Sequence, residues 1–428
     1  MTQRNIISRR RVTYVGLEST FGSTPAGAFP NVPTAGLFLG DDVTPELVEE
    51  MLDVNDESIY REGAIHPVHG LQSSGGTVQL KRYLRTVPSA ALLTAAGVAA
   101  SAVDRVLLTH HLGIEHAAIG TTVAVGTSRT AFDVASAATI KKGTLLAVTI
   151  SGTPEWCKVT NVSGVTVTVT PPLSGTPAIS AVVRNLYSYA PAEQHTNSIT
   201  VYRGYVADSG TEPEYIVNGV YGNCTFDFPV GQIPTMAFQG AVTSFTGPAS
   251  AAAIDTATVV SDALGAPVTV KGAKLYIATT AIARATAVTW ETFSVEYTNT
   301  WEKVVDGGAA QAVAGVVNTA GRPRAVKCLA RLRFDSGSYD NATTAGFGAD
   351  DIFRIALVIT VGSGSTLSHW IFEIPKAQLT AKPKLVTVGS RLYMDLEFSG
   401  TQDNQVTQAS ETGDDLARII APFRVAFG

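Results

Sequence analysis

Between Asn223 and Val230 every second residue is apolar. Cys224, Phe226, Phe228 and Val230 share one phase, and Asn223, Thr225 and Asp227 hold the other. A period of two belongs to a strand with one face buried. Turn residues 231–234 follow, and Met236, Phe238 and Val242 then resume an apolar phase. The pair reads as a long hairpin whose Phe226, Phe228, Met236 and Phe238 enter a core. Its register is tightly constrained, because a slip of one residue would carry each of these side chains to the opposite face.

The same period recurs along the chain. Leu146, Val148 and Ile150 alternate, as do Phe293, Val295 and Tyr297. So do Val326, Cys328, Ala330, Leu332 and Phe334, then Ile355, Leu357, Ile359 and Val361, then Leu392, Met394, Leu396 and Phe398. A mainly β chain is expected, and 428 residues exceed one comfortable core. Hydrophobic residues make up 45% and charged residues 16%. That balance excludes a disordered chain and suits one that buries surface against its own copies. The net charge of −5 gives no basic footprint for holding nucleic acid. Cys157, Cys224 and Cys328 are odd in number and far apart, so neither a disulfide framework nor a metal knuckle can be read from them. Met1 to Arg11 lacks the apolar stretch of a secretory signal, and the Ala-rich run 90–100 is too short to span a bilayer. No membrane binding is expected.

Along the chain, Arg9, Arg10 and Arg11 form a basic arm. Thr44-Pro45-Glu46 has the form of a helix start, with Thr as cap and Pro in the first turn. Residues 53–76 are a polar excursion carrying Asp53, Asp56, Glu57 and Glu62, and a strand is expected over 77–85. Residues 88–100 are the best helix candidate. Residues 119–184 are rich in Thr, Val, Ala, Gly and Ser, with short β runs every eight to twelve residues, and read as a small inserted barrel or sandwich. Residues 248–262 read as a linker. A second excursion, 306–321, sits in the second half where 53–76 sits in the first, which suggests a duplication.

Chemistry-bearing clusters are few. His110, His111, Glu115 and His116 resemble a metal set, but no Cys or Asp completes it, and polar surface histidines are the expectation. His66 and His69 flank Pro67 in an extended segment. No Gly-x-Ser-x-Gly elbow occurs, and residues 361–365 lack the Lys and helix of a phosphate loop. Neither an enzyme nor a cofactor or metal site is expected.

The run Gly219-Val220-Tyr221-Gly222-Asn223-Cys224-Thr225-Phe226-Asp227-Phe228, followed by Met236-Ala237-Phe238-Gln239-Gly240, resembles the closing hairpin of the tail tube proteins of long-tailed bacteriophages. Gly40-Asp41, Thr44-Pro45-Glu46 and Gly70-Leu71-Gln72-Ser73-Ser74-Gly75-Gly76 resemble their opening. The likeness covers residues 16–115 and 187–247. It implies β-sandwich domains with flanking helices, whose inner strands join across neighbours into a channel. It also implies rings that stack through a long loop and terminal arms. Arg9, Arg10, Arg11, Asp53, Asp56, Glu57 and Glu62 then become inter-subunit candidates. The expected plan is a first tube domain of residues 1–118 and 185–247, the insertion at 119–184 facing outward, the linker, and a second tube domain at 263–428. Three such chains would make a pseudo-sixfold ring, favoured over six single-domain chains. Its partners would be a tape-measure protein, tail-terminal proteins and, transiently, phage DNA. A decoration or adhesin-type binding protein is the alternative reading; a β-rich hydrolase has no nucleophile–base arrangement behind it.

Overall fold

The computed structural model describes residues 11–18, 22, 34–36, 39–52, 68–85, 102–116, 120–191, 198–207, 210–246, 260–261, 266–280, 282–284, 287–299, 301–305, 313–318, 325–334, 351–362, 367–402 and 420–428. The fold is mainly β, and the one α-helix among these residues is Ala102–Leu112.

Antiparallel pairing joins Gly40–Leu52, Val68–Tyr83, Thr235–Val242, Gly210–Pro229, Trp290–Thr298, Ala325–Arg333, Arg391–Gly400 and Lys384–Val388, in that spatial order, into an eight-stranded ladder. A second layer runs Lys274–Ala278, Phe353–Val361, Ser368–Leu379, Arg424–Phe427, Tyr187–Pro191, Gly113–His116. Ser368–Leu379 turns the corner between them, because Ala377–Leu379 also pairs with the end of Arg391–Gly400. The layers meet through aromatic rings. Phe372 lies 5.2 Å from Phe226 and 4.5 Å from Phe228, and Phe353 lies 5.4 Å from Phe398. Phe226, Phe228, Met236 and Phe238 are all buried in this core, which gathers residues from both halves of the chain.

Six strands between Gly120 and Asn185 close into a separate barrel with its own core around Phe132, Leu146, Val148 and Val167. It rests on the outer face of the second layer. Leu145, Ala147 and Trp156 of the barrel, with Leu186 just after it, pack with Tyr276, Ala356, Val358, Ile371 and Ala426. The strands of that layer that meet the barrel are therefore covered on both faces, which explains the unbroken burial from Ile355 to Ile359.

Several sequence expectations need correction. Thr44-Pro45-Glu46 does not start a helix; it lies inside Gly40–Leu52, opposite Thr77, Gly76 and Gly75. Pro45 is tolerated there because this is the outermost strand of the ladder, where a missing N–H disrupts no second partner. The strand expected from residue 77 begins at Val68, inside the polar excursion. Ala102–Leu112, to which the sequence reading gave no element, is a helix, with Val103, Leu107, Leu108 and Leu112 buried at helical spacing and Asp104 in its first turn. Buried Asp104 pairs with buried Arg82 at 2.7 Å and ties that helix to the ladder. Within the second excursion, Val313–Asn318 is a strand that pairs with Trp301–Val305 just ahead of it. Val230 leaves its strand and is exposed in the turn. The 88–100 helix candidate lies outside the described residues, as does the linker apart from Val260–Ser261.

Gly219 takes a left-handed φ of 63° at a bulge in Gly210–Pro229, and a Cβ there would meet Thr243 Oγ1 at 1.8 Å. Gly219→Ala is expected to destabilise the chain by about 2 kcal/mol or more. Phe228→Ala should cost about 3–5 kcal/mol, against about 0.5 kcal/mol or less for the half-exposed Leu329→Ala. Urea unfolding of the three variants checks both expectations.

Candidate assembly edges

In chain order the ladder consists of two sets of four strands. The first is Gly40–Leu52, Val68–Tyr83, Gly210–Pro229, Thr235–Val242; the second is Trp290–Thr298, Ala325–Arg333, Lys384–Val388, Arg391–Gly400. Within each set the spatial order is first, second, fourth, third. The third strand of set one pairs with the first strand of set two, Cys224–Pro229 against Thr292–Tyr297. The ladder's two outermost strands are therefore the first strand of set one and the third strand of set two. Neither has a strand partner on its outer side among the described residues.

These edges differ in chemistry. Lys384–Val388 exposes Leu385 (59%) and Val388 (47%), and Leu392 across the hairpin is 36% exposed. The sequence reading placed Leu392 in the buried phase. The structure exposes it because the core does not extend under this hairpin's tip. Lys382, Lys384 and Arg391 flank these apolar residues. The sequence of Gly40–Leu52 holds Asp41, Asp42, Glu46, Glu49 and Glu50 and no base. The ladder face turned away from the core is mainly polar, with Leu329 exposed among its charges. Arg331 makes a bidentate pair with Asp395 (2.6 and 2.8 Å), and Lys327 lies 3.1 Å from Glu397.

Of the sequence-nominated inter-subunit residues, Arg9, Arg10, Asp53, Asp56, Glu57 and Glu62 lie outside the described residues; Arg11 opens the Arg11–Leu17 strand. The histidine cluster does not assemble a metal site. His110 and His111 are buried on the helix rather than exposed, because its last turn packs inward against Phe238. Glu115 instead accepts hydrogen bonds from Arg105, Thr109 and Tyr189. Among the described residues no cluster of His, Cys, Asp or Glu could hold a metal ion. All three cysteines are buried thiols, and burial pushes Cys157 up to about 12. No described helix is long and apolar enough to cross a membrane.

Charged groups also fasten the barrel to the second layer. Lys158 of the barrel and Arg424 both hold Glu373, at 2.6 and 2.9 Å. Burial alone would raise the Glu373 carboxyl, but the two cations more than offset it and hold the group below its ordinary value. Arg284 donates to Pro172 O at 2.8 Å and to Trp156 O. His369 sits in the same junction, Nε2 3.2 Å from Pro154 O and Nδ1 3.2 Å from Thr360 Oγ1. The two contacts suit a neutral ring that donates from Nε2 and accepts at Nδ1.

No protein-family model matches this sequence, and a comparison with curated proteins finds no match.

Burial lowers His111 and His369 to about 4, with nearby Arg284 adding to the shift at His369. Both rings are neutral when folded, whereas unfolded histidines take up protons near pH 6.5. Stability is expected to fall as pH drops from about 6.5 toward 4, by up to about 3 kcal/mol per ring. Glu373 adds a further loss below the ordinary carboxylate range, since its depressed value stabilises the fold only while the group is ionised. Denaturation midpoints at pH 7, 5.5 and 4.5 check this, and His369→Gln should flatten the decline.

Proposed function

We propose that this chain is a structural virion protein that assembles into stacked rings forming the tail tube of a long-tailed bacteriophage, a conduit for DNA during ejection. The observation that carries the reading is the repeated strand order. Inside one chain, the third strand of set one pairs with the first strand of set two. The same joint, made between chains, brings Lys384–Val388 of one copy against Gly40–Leu52 of the next. Exposed apolar residues flanked by bases would then meet an acid-rich strand, and both open edges would be covered.

Each chain supplies eight strands, so three chains would close a ring of twenty-four with pseudo-sixfold symmetry. Barrels of about 16–18 strands already enclose an aqueous channel, and diameter grows with strand number. In this arrangement the polar face of the ladder lines the lumen. Its cross-strand ion pairs leave no basic track to hold phosphates. The second layer lies outside the ladder and the small barrel outside that, which agrees with an outward insertion at 119–184 between 1–118 and 185–247. Residues 263–428 form the second tube domain, and 248–262 join the two. The basic arm Arg9–Arg11 and the acids Asp53, Asp56, Glu57 and Glu62 would serve contacts between stacked rings. The role is assembly without catalysis. Partners are further copies of the chain, a tape-measure protein within the lumen and tail-terminal proteins. The chain is made in the bacterial cytoplasm and resides in the virion.

Purified protein is expected to form long tubes by negative-stain microscopy, with threefold-symmetric rings in axial views. Leu385→Asp with Val388→Asp should abolish rings while the chain keeps its β circular-dichroism spectrum and a melting temperature within a few degrees. Wild-type protein that stays monomeric, or a double variant that still polymerises, would overturn the reading.

A further inference from the structure

We infer that the junction between the small barrel and the second layer is a binding site for a small organic anion, a phosphate or carboxylate on an apolar body. A cavity of about 330 Å³ opens there, within the usual range of small-molecule sites. Its lining contains Lys142, Lys158, Arg354 and Arg424 against a single carboxylate, Glu373. The lining thus carries three more positive than negative charges. A purely structural junction needs only enough cations to neutralise its acid. Glu373 is already engaged by Lys158 and Arg424, so the lining offers no second carboxylate to Lys142 and Arg354, and an entering anion would meet both.

The remaining wall suits the body of such a ligand. Trp156 and Ile282 are largely buried and face the cavity with Pro171 and Pro375. An aromatic or aliphatic group could lie against them while its anionic end reaches the cations. The cations come from both bodies: Lys142 and Lys158 from the barrel, Arg354 and Arg424 from Phe353–Val361 and Arg424–Phe427. A ligand would therefore bridge barrel and sheet. The site lies on the far side of the second layer from the ladder, so it is independent of ring closure.

Titration calorimetry on the full chain at low salt, with phenyl phosphate, benzoate and phenol as probes, tests the inference. Phenyl phosphate or benzoate should bind at one site per chain and phenol should not; which anion binds more tightly distinguishes phosphate from carboxylate recognition. Lys142→Gln with Arg354→Gln spares the Lys158–Glu373–Arg424 contacts and should weaken anion binding at least tenfold, with an unchanged melting temperature. Absence of binding by both anions overturns the inference. So does equal binding of phenol, or an affinity unchanged in the double variant.

Discussion

The Gly210–Pro229 strand has hydrogen-bonded neighbours on both edges in each of its halves. Its first half pairs with Ile199–Ala207 and Ser244–Thr246, and its second half with Thr235–Val242 and Trp290–Thr298. Between the halves the chain bulges at Gly219. There the buried Glu18 carboxylate accepts the Gly219 N–H and Thr200 Oγ1 at 2.8 Å, Gly22 N–H at 2.7 Å and the Ser198 hydroxyl. A carboxylate held by four neutral donors is tolerable in a core because each oxygen is satisfied. It fixes the bend where one strand passes from its pairing with Ile199–Ala207 into the ladder. Phe226 and Phe228 follow that bend onto Phe372, so the placement of the two layers depends on it.

Double-sided burial of the second layer sets the next constraint. Its inner face carries Ile355, Leu357, Trp370 and Phe372 toward the ladder, and its outer face carries Ala356, Val358 and Ile371 toward the barrel. The barrel cannot therefore be a loosely tethered appendage, because its removal would open an apolar face to water. The buried Lys158–Glu373–Arg424 group adds geometric specificity to that contact more than net stability, since desolvating three charges offsets much of their attraction.

The strands were legible because period-two alternation is a local signal, and Cys224–Phe228 or Val326–Leu332 needs no knowledge of its partner. The errors arise where non-local pairing overrides a local signature. Thr44-Pro45-Glu46 carries helix-start chemistry, yet twelve residue pairs with Val68–Tyr83 hold it extended. Leu392 obeys the alternation of its strand but stands beyond the edge of the core, which no single-strand pattern can reveal. The helix at Ala102–Leu112 carries its apolar residues at helical spacing among polar ones, and the sequence reading assigned it no element. Residues 158, 373 and 424 lie in widely separated segments, so the charged junction and its cavity had no sequence signal at all.

Unequal edge chemistry decides what kind of association the ladder favours. If two copies paired through Lys384–Val388 about a twofold axis, two sets of bases would gather along one edge with no acid of that strand to offset them, and acids would face acids if Gly40–Leu52 paired with itself. Head-to-tail pairing removes both repulsions and brings opposite charges together. Such heterologous contacts close into a ring only when each step rotates by a fraction of a full turn, and otherwise run on as a helix. In the proposed ring the intrachain joint between Gly210–Pro229 and Trp290–Thr298 would be one such step already built. In a pseudo-sixfold ring it would turn by about 60° per four-strand set. Half of the ring's joints would then be fixed by folding, leaving three to form between chains. That lowers the number of bodies to be brought together and the translational entropy lost in closing the ring.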